Sequence, residues 1–204
     1  MPRYSARETP EARRTRLEGH ASETDPSVVL KAAARYLESR SHSVAEVRRH
    51  LAAAKYPDAL VEQAIARLLD LHLLDDAHFA RSWVDSRDRA RPRGSQALRR
   101  ELSLKGIDRE VIEEILAARR DADADPGPDS HSDGSWQSRP IDAPEPGSPD
   151  RRAAQRLLGK HAAAFARVPD PRLRRQRAYG LLARNGFDPE ICREASASLG
   201  DSDD

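Results

Sequence analysis

"RPRGSQALRRELSLKGID", residues 91–108, decides how the rest of the chain is read. Leu98 and Leu102 stand one helical turn apart, with Pro92 and Gly94 ahead of them and Gly106 behind, so the stretch predicts a short helix with its own start and stop. Its eighteen residues hold four arginines and one lysine against two acids. Arg99, Arg100 and Lys105 fall off the apolar stripe. Such a helix carries either an ordinary solvated face or a surface built to meet a polyanion.

The same pattern recurs along the chain. At a shift of 51 residues, Val47, Leu51, Tyr56, Leu60, Val61 and Ile65 fall on Leu98, Leu102, Ile107, Val111, Ile112 and Leu116. At a further shift of 80, Leu102, Gly106, Ile107, Asp108, Val111 and Ile112 fall on Leu182, Gly186, Phe187, Asp188, Ile191 and Cys192. The two shifts differ by 29, the length of "DADADPGPDSHSDGSWQSRPIDAPEPGSP", residues 121–149. That segment is mostly Asp, Pro, Ser and Gly, too poor in apolar side chains to offset the entropy of ordering it. With it removed the spacing becomes uniform, which predicts three copies of one unit.

Each unit reads as three helices. In the first, Asp25 and Pro26 suit a helix start with Leu30, Ala34 and Leu37 inward; Ser43 and Glu46 have capping-box spacing before Val47, Leu51 and Ala54. Val61, Ala64, Ile65, Leu68 and Leu69 share the face of the third helix. In the second unit Asp75 caps a helix with Phe79, Ala80, Trp83 and Val84 inward, which Pro92 ends. In the third, "PDRRAAQRLLGKHAAAFARV" reads as one helix with Leu157, Leu158, Ala164 and Phe165 apolar, and Asp170-Pro171 and Asp188-Pro189 open the next two. Gly106 and Gly186 suit left-handed helix stops. Nothing alternates with period two, so the expected fold is all-α: three tandem three-helix repeats, nine principal helices, in an elongated, curved array. The expected boundaries are a disordered tail at 1–26, repeats at 27–73, 74–120 and 150–199, a disordered insertion at 121–149 and an acidic tail at 200–204.

The net charge of +1 conceals segregation. Residues 27–120 carry eighteen bases against fourteen acids and 151–200 eleven against four, while 121–150 carry one against eight. Two basic blocks on either side of an acidic segment suggest an acidic partner. Cys192 is the sole cysteine, which excludes a disulfide framework, and its register with Ile112 makes it a core residue. The longest apolar run, Ala162 to Ala166, is five residues, far below a membrane span. No signal core opens the sequence, so a soluble, cytoplasmic protein is expected, and a monomer is the expected state.

Catalytic signatures are missing. Asp75 and Asp76, like Glu113 and Glu114, diverge by about 100° on a helix and cannot share a metal as residues four apart do. His42 and His50 lack zinc-ligand spacing, and no phosphate-cradling glycine loop or nucleophile elbow occurs. No cofactor, metal or catalytic residue is expected. Trp136, alone in the insertion, reads as an incidental aromatic, with a short docking element as the alternative.

Binding is the better reading of the basic residues. Arg48 and Arg49 precede Leu51 as Arg99 and Arg100 precede Leu102. Arg89, Arg91 and Arg93 lead into the opening helix, and Lys105 closes it. In the third unit Arg172, Arg174 and Arg175 crowd a helix start, where positive charge opposes the macrodipole unless an anion meets it. These eleven residues are the candidate binding set for an anionic partner.

The stretch from Tyr36 to Leu116 closely resembles the RecX regulatory proteins. The resemblance runs over residues 28–116 and more weakly over 150–197; its most specific pieces are "LLDD" at 73–76, Phe79-Ala80, Arg93-Gly94 and the Glu101–Gly106 segment. It implies a modular, non-enzymatic protein of three helical repeats that lodges in the groove of the RecA–DNA filament. There it would inhibit ATP hydrolysis and strand exchange, and so act in recombination, DNA repair and the SOS response, with single- or double-stranded DNA held weakly through phosphates. Leu73, Leu74, Phe79 and Leu102 are expected to pack, Asp75 to cap, and Gly94 and Gly106 to shape the backbone. Two other readings stay open. One is a helix-turn-helix DNA-binding protein without RecA specificity, although repetition and the scarcity of Asn and Gln beside the arginine pairs argue against base readout. The other is a scaffold that binds only protein.

Overall fold

The computed structural model describes residues 9–124 and 148–199. These contain eleven helices and no strand: α1 (Pro10–Ala21), α2 (Pro26–Leu37), α3 (Val44–Ala53), α4 (Asp58–Asp70), α5 (Asp76–Ala90), α6 (Ser95–Leu104), α7 (Arg109–Ala124), α8 (Pro149–Lys160), α9 (Ala162–Ala166), α10 (Pro171–Arg184) and α11 (Pro189–Ala197). The all-α expectation holds, and the nine principal helices appear with two additions.

The first addition corrects the reading of 1–26 as a disordered tail, since α1 lies inside it. Thr9 accepts from the Ala12 amide at 3.2 Å, Pro10 takes the first turn, and Arg14 pairs with Glu18 at 2.8 Å. Local polar bonds make this helix, not an apolar period, so periodicity alone missed it. The second addition is α9. The helix expected across 149–168 breaks at His161, just past Gly159, and the five-residue α9 that follows buries Phe165 while leaving Ala164 exposed. In addition α7 runs to Ala124, into the expected insertion. The rest of that insertion, with Trp136, and the acidic tail at 200–204 lie outside the described residues.

Starts and stops follow the sequence signals. Asp25, Asp170 and Asp188 accept from the amides of Ser27, Arg172 and Glu190, each at 2.8 Å, ahead of a proline-initiated helix. Ser43 and Glu46 close a capping box on α3, and Asp75 accepts from the His78 amide at 2.8 Å at the start of α5. Gly106 and Gly186 are left-handed, at φ 80° and 78°. The equivalent position of the first repeat is also left-handed, but it is occupied by Lys55 at φ 68°. A methyl at Gly106 would overlap Ala45, and one at Gly186 would lie 2.5 Å from Ala97, so those two turns require glycine for space as well as for φ.

The described residues divide into two compact units, those up to 79 with 105–107, and 80–104 with those from 108 onward. In the first, α2, α3 and α4 enclose Val29, Ala33, Val47, Leu51, Tyr56, Val61, Ala64, Ile65, Leu68 and Leu74. Two details differ from the sequence reading. Val29 and Ala33 centre the buried face of α2, with Leu30, Ala34 and Leu37 half-buried at its border, because a helix packed on two neighbours buries a wide arc. Leu69 and Leu73 are 41% and 58% exposed, so neither is the packing residue expected. After α4 the chain reverses through His72 at φ 53°, the amides of Leu73 and Leu74 both bond the Leu68 carbonyl, and Leu74 turns inward.

In the second unit Ala80, Val84, Leu98, Leu102, Ile112, Ile115 and Leu116 are buried. A separate cluster joins α8, α9, α10 and α11 through Ala153, Ala154, Leu157, Leu158, Phe165, Ala178, Leu182, Phe187 and Cys192. Cys192 is fully buried, as its register with Ile112 predicted, and burial pushes its thiol pKa up.

Candidate anion-binding surface

The arginine pairs occupy equivalent places in two helices, and their two members do different things. Arg48 Nε and Nη2 donate to Glu62 Oε1 and Oε2 at 2.6 and 2.8 Å. Arg99 Nε and Nη2 donate to Glu113 Oε1 and Oε2 at 2.7 and 3.0 Å. Both partners obey the 51-residue shift (48 to 99, 62 to 113). In each case a second helix is forked onto the third helix that follows it. The hydrogen bonds hold both glutamates below their ordinary pKa and both arginines above theirs. Arg49 and Arg100 are the next residues along, turned about 100° from the clamp. Both are exposed and form no side-chain hydrogen bond or ion pair among the described residues.

The other candidates divide the same way. Lys105 is structural: its Nζ lies 2.6 Å from Glu46 Oε1, and Glu46 is 9% exposed. Burial of Glu46 would raise its pKa, but the hydrogen bonds from Lys105 and Arg40 outweigh it and hold the carboxyl at about 2. Arg93 donates to Asn185 Oδ1 at 2.6 Å and faces Glu101 at 3.5 Å. Glu101 also accepts from Trp83 Nε1 at 2.8 Å and Arg87 Nε at 2.6 Å, while the Arg87 guanidinium lies 4.3 Å above the Trp83 ring. Arg174 donates to the carbonyls of Val168 and Leu199, both at 3.3 Å. Arg89, Arg91 and Arg172 are exposed and Arg175 is half-buried, none with a side-chain partner among the described residues. Five of the eleven candidates therefore have intramolecular work, and six are available: Arg49, Arg89, Arg91, Arg100, Arg172 and Arg175.

Sequence reasoning missed Arg119. Its side chain is 8% exposed and donates to Asp88 at 2.8 and 2.9 Å and to Asp150 at 2.6 Å. Asp150 in turn accepts from the Ser95 amide at 3.0 Å, satisfying an orphan donor at the start of α6. Asp76 does the same for the Val44 amide of α3 at 2.9 Å, again 51 residues earlier. Beside Arg119, a cleft of about 440 Å³ is lined by Arg81, Arg152 and Arg156 together with Asp85 and Asp88. The one available signal was the 51-residue match between Val44 and Ser95. The carboxylates that serve those amides come from elsewhere in the chain.

Among the described residues no group of three or more His, Cys, Asp or Glu is placed to hold a metal, and no helix is long and apolar enough to cross a membrane. What the geometry defines is a helical-repeat protein in which Arg49 and Arg100, at equivalent positions of two helices, have no side-chain partner among the described residues. The RecX first three-helix domain matches residues 30–68 and the RecX second three-helix domain matches residues 75–116. The regulatory protein RecX of Chlorobium phaeobacteroides (strain BS1) is 30% identical over 177 residues, spanning 85% of this chain and 94% of that protein. That of Mycobacterium avium (strain 104) is 32% identical over 160 residues, covering 78% of each. The crystal structure of RecX from Lactobacillus salivarius has the same fold, with a TM-score of 0.64 at 21% identity over 85% of this chain and 96% of that one. The chain belongs to the RecX family of regulatory proteins, non-enzymatic modulators of the RecA recombinase.

Proposed function

We propose that this chain regulates RecA from within the groove of the RecA–DNA filament, in the cytoplasm and as a monomer, mainly by restraining ATP hydrolysis and strand exchange. Three repeats, at 27–73, 74–120 and 150–199, give it several points of attachment, and DNA phosphates contribute weakly. The observation that carries this reading is the pair Arg49 and Arg100. Each is exposed, unpaired among the described residues, and set beside an arginine whose own charge is already matched. A guanidinium without an internal partner is free to fork onto a phosphate or carboxylate.

The test is ATP turnover by RecA on single-stranded DNA, titrated with the wild-type protein and with the double charge reversal Arg49→Glu/Arg100→Glu. Loss of inhibition by the folded variant supports the reading, and unchanged inhibition sinks it. Repeating the titration with DNA in large excess separates the runner-up: a simple DNA-binding protein loses its effect there, whereas a filament regulator keeps it.

A further inference from the structure

We infer that α1 is a strap closing the first repeat, seated where the repeat register would otherwise place the start of a preceding second helix. The left-handed turns at Lys55, Gly106 and Gly186 are equivalent by sequence register and by φ. The carbonyl just before each turn belongs to Ala54, Lys105 or Asn185, and each accepts one bond from a distant part of the chain. Ser43 Oγ donates to Lys105 O at 2.7 Å, and Gly94 N donates to Asn185 O at 3.1 Å. Ser43 and Gly94 are 51 residues apart, each immediately ahead of a second helix, so they are equivalent too. The residue after each of these two turns, Ile107 or Phe187, is buried.

In the first repeat the equivalent carbonyl is that of Ala54, and its partner is not a residue at the start of a second helix. In its place His20, at the end of α1, bonds Ala54 O through Nδ1 at 2.9 Å. Because a carbonyl only accepts, Nδ1 carries the proton, and in the neutral ring Nε2 then accepts from the Tyr56 hydroxyl at 3.2 Å. The two rings are stacked, with centroids 4.2 Å apart and planes at 15°.

Two departures from the repeat pattern fit this substitute. Where the later turns have Ile107 and Phe187, the first has Tyr56, whose hydroxyl is what His20 needs. Where they have glycine, the first has Lys55. Gly106 and Gly186 have Ala45 and Ala97 pressed against them, whereas α1 leaves a cleft of about 610 Å³ beside Lys55, lined by Pro10, Leu17 and Ala21 among others. A side chain is tolerated at this turn because its occupant is a helix standing off.

The strap is lightly held. No residue of α1 is buried, and His20 contributes hydrogen bonds to Ala54 and Tyr56. Elements with so little buried area open before the cores they cover. α1 therefore lifts while α2, α3 and α4 stay folded, baring the Ala54 carbonyl and Tyr56.

Native-state hydrogen exchange on the full chain tests this, in the wild type, in His20→Ala, in Tyr56→Phe and in the double variant. In the wild type the α1 amides exchange at least about tenfold faster than those of α3 and α4. His20→Ala speeds α1 exchange several-fold further, Tyr56→Phe does so in the same segment, and the double variant does little more than His20→Ala alone. Exchange in α10 and α11 stays at the wild-type rate. The inference is overturned if His20→Ala leaves α1 exchange unchanged, if the two substitutions simply add, or if all helices speed up together, which would make His20 a contributor to global stability only.

Discussion

Arg99 and Glu113 are joined by two hydrogen bonds, of 2.7 and 3.0 Å, and the side chain of Arg100, which follows, has no hydrogen-bond or ion-pair partner among the described residues. The same division holds 51 residues earlier for Arg48, Glu62 and Arg49. Neighbouring arginines on one helix thus differ in role because they differ by about 100° in direction. The first is a brace between helices; the second faces solvent.

Charge reversal at Arg49 and Arg100 should therefore leave the melting temperature close to wild type, weaken inhibition of RecA, and flatten its salt dependence. Removing one arginine–phosphate pair lowers the log–log slope by roughly 0.7 to 0.9. Arg48→Ala and Arg99→Ala should do the reverse, each lowering stability by at most about 1 kcal/mol, since both pairs are half-exposed. Thermal unfolding set beside ATPase titrations at several salt concentrations separates the two classes.

Acid should weaken the first unit through Glu46. Its folded pKa of about 2 lies below its ordinary value of 4.5, so its contribution is present in full above pH 4.5 and is lost as pH falls toward 2. The upper bound on that contribution is on the order of 3 kcal/mol. His42 adds an earlier loss. Burial, with Arg40 nearby, lowers its pKa against the opposing pull of Glu46, so the unfolded chain takes the proton first and stability begins to fall below pH 6.5. Denaturant titrations from pH 7 to pH 3 should show both, with the lower limb flattened in Glu46→Gln.

At the helix stops, Lys55→Gly should stabilise the protein by about 1 kcal/mol, by relieving a left-handed lysine. Gly106→Ala and Gly186→Ala should each cost more than that, because the added methyl meets Ala45 or Ala97 as well as an unfavourable φ. Chemical denaturation of the three variants gives the order directly.

Arg119→Ala should rank among the most damaging substitutions, at up to about 3–5 kcal/mol, because it leaves Asp150 with the Ser95 amide and Asp88 with Arg156 at 3.8 Å in place of a shared guanidinium. Leu98→Ala and Leu102→Ala, both at fully buried positions, should cost about 2–5 kcal/mol. Leu73→Ala and Leu104→Ala, at 58% and 77% exposure, should change stability by less than about 0.5 kcal/mol. An unfolding midpoint for Leu73→Ala as low as that of Leu102→Ala would contradict the inward turn at Leu74.

The sequence alone determined the helices that have a local cause. Asp25-Pro26, Ser43 with Glu46, Asp170-Pro171 and Asp188-Pro189 place caps within three residues of what they cap, and the repeat register, with its 80-residue shift between the second and third units, put Cys192 in a core and glycine at two left-handed stops. Only the tertiary structure decided which charges are available. Arg48 and Arg49 are indistinguishable by type and position in the sequence, as are Arg99 and Arg100. Lys105 and Arg174 read as surface bases until Glu46, Val168 and Leu199 are placed beside them. Arg119 finds both of its aspartates 31 residues away, on either side, and His20 finds its carbonyl 34 residues away. A cap is a bond along the chain and its pattern can be read; a salt bridge across the fold depends on which helices meet, and no local pattern records that.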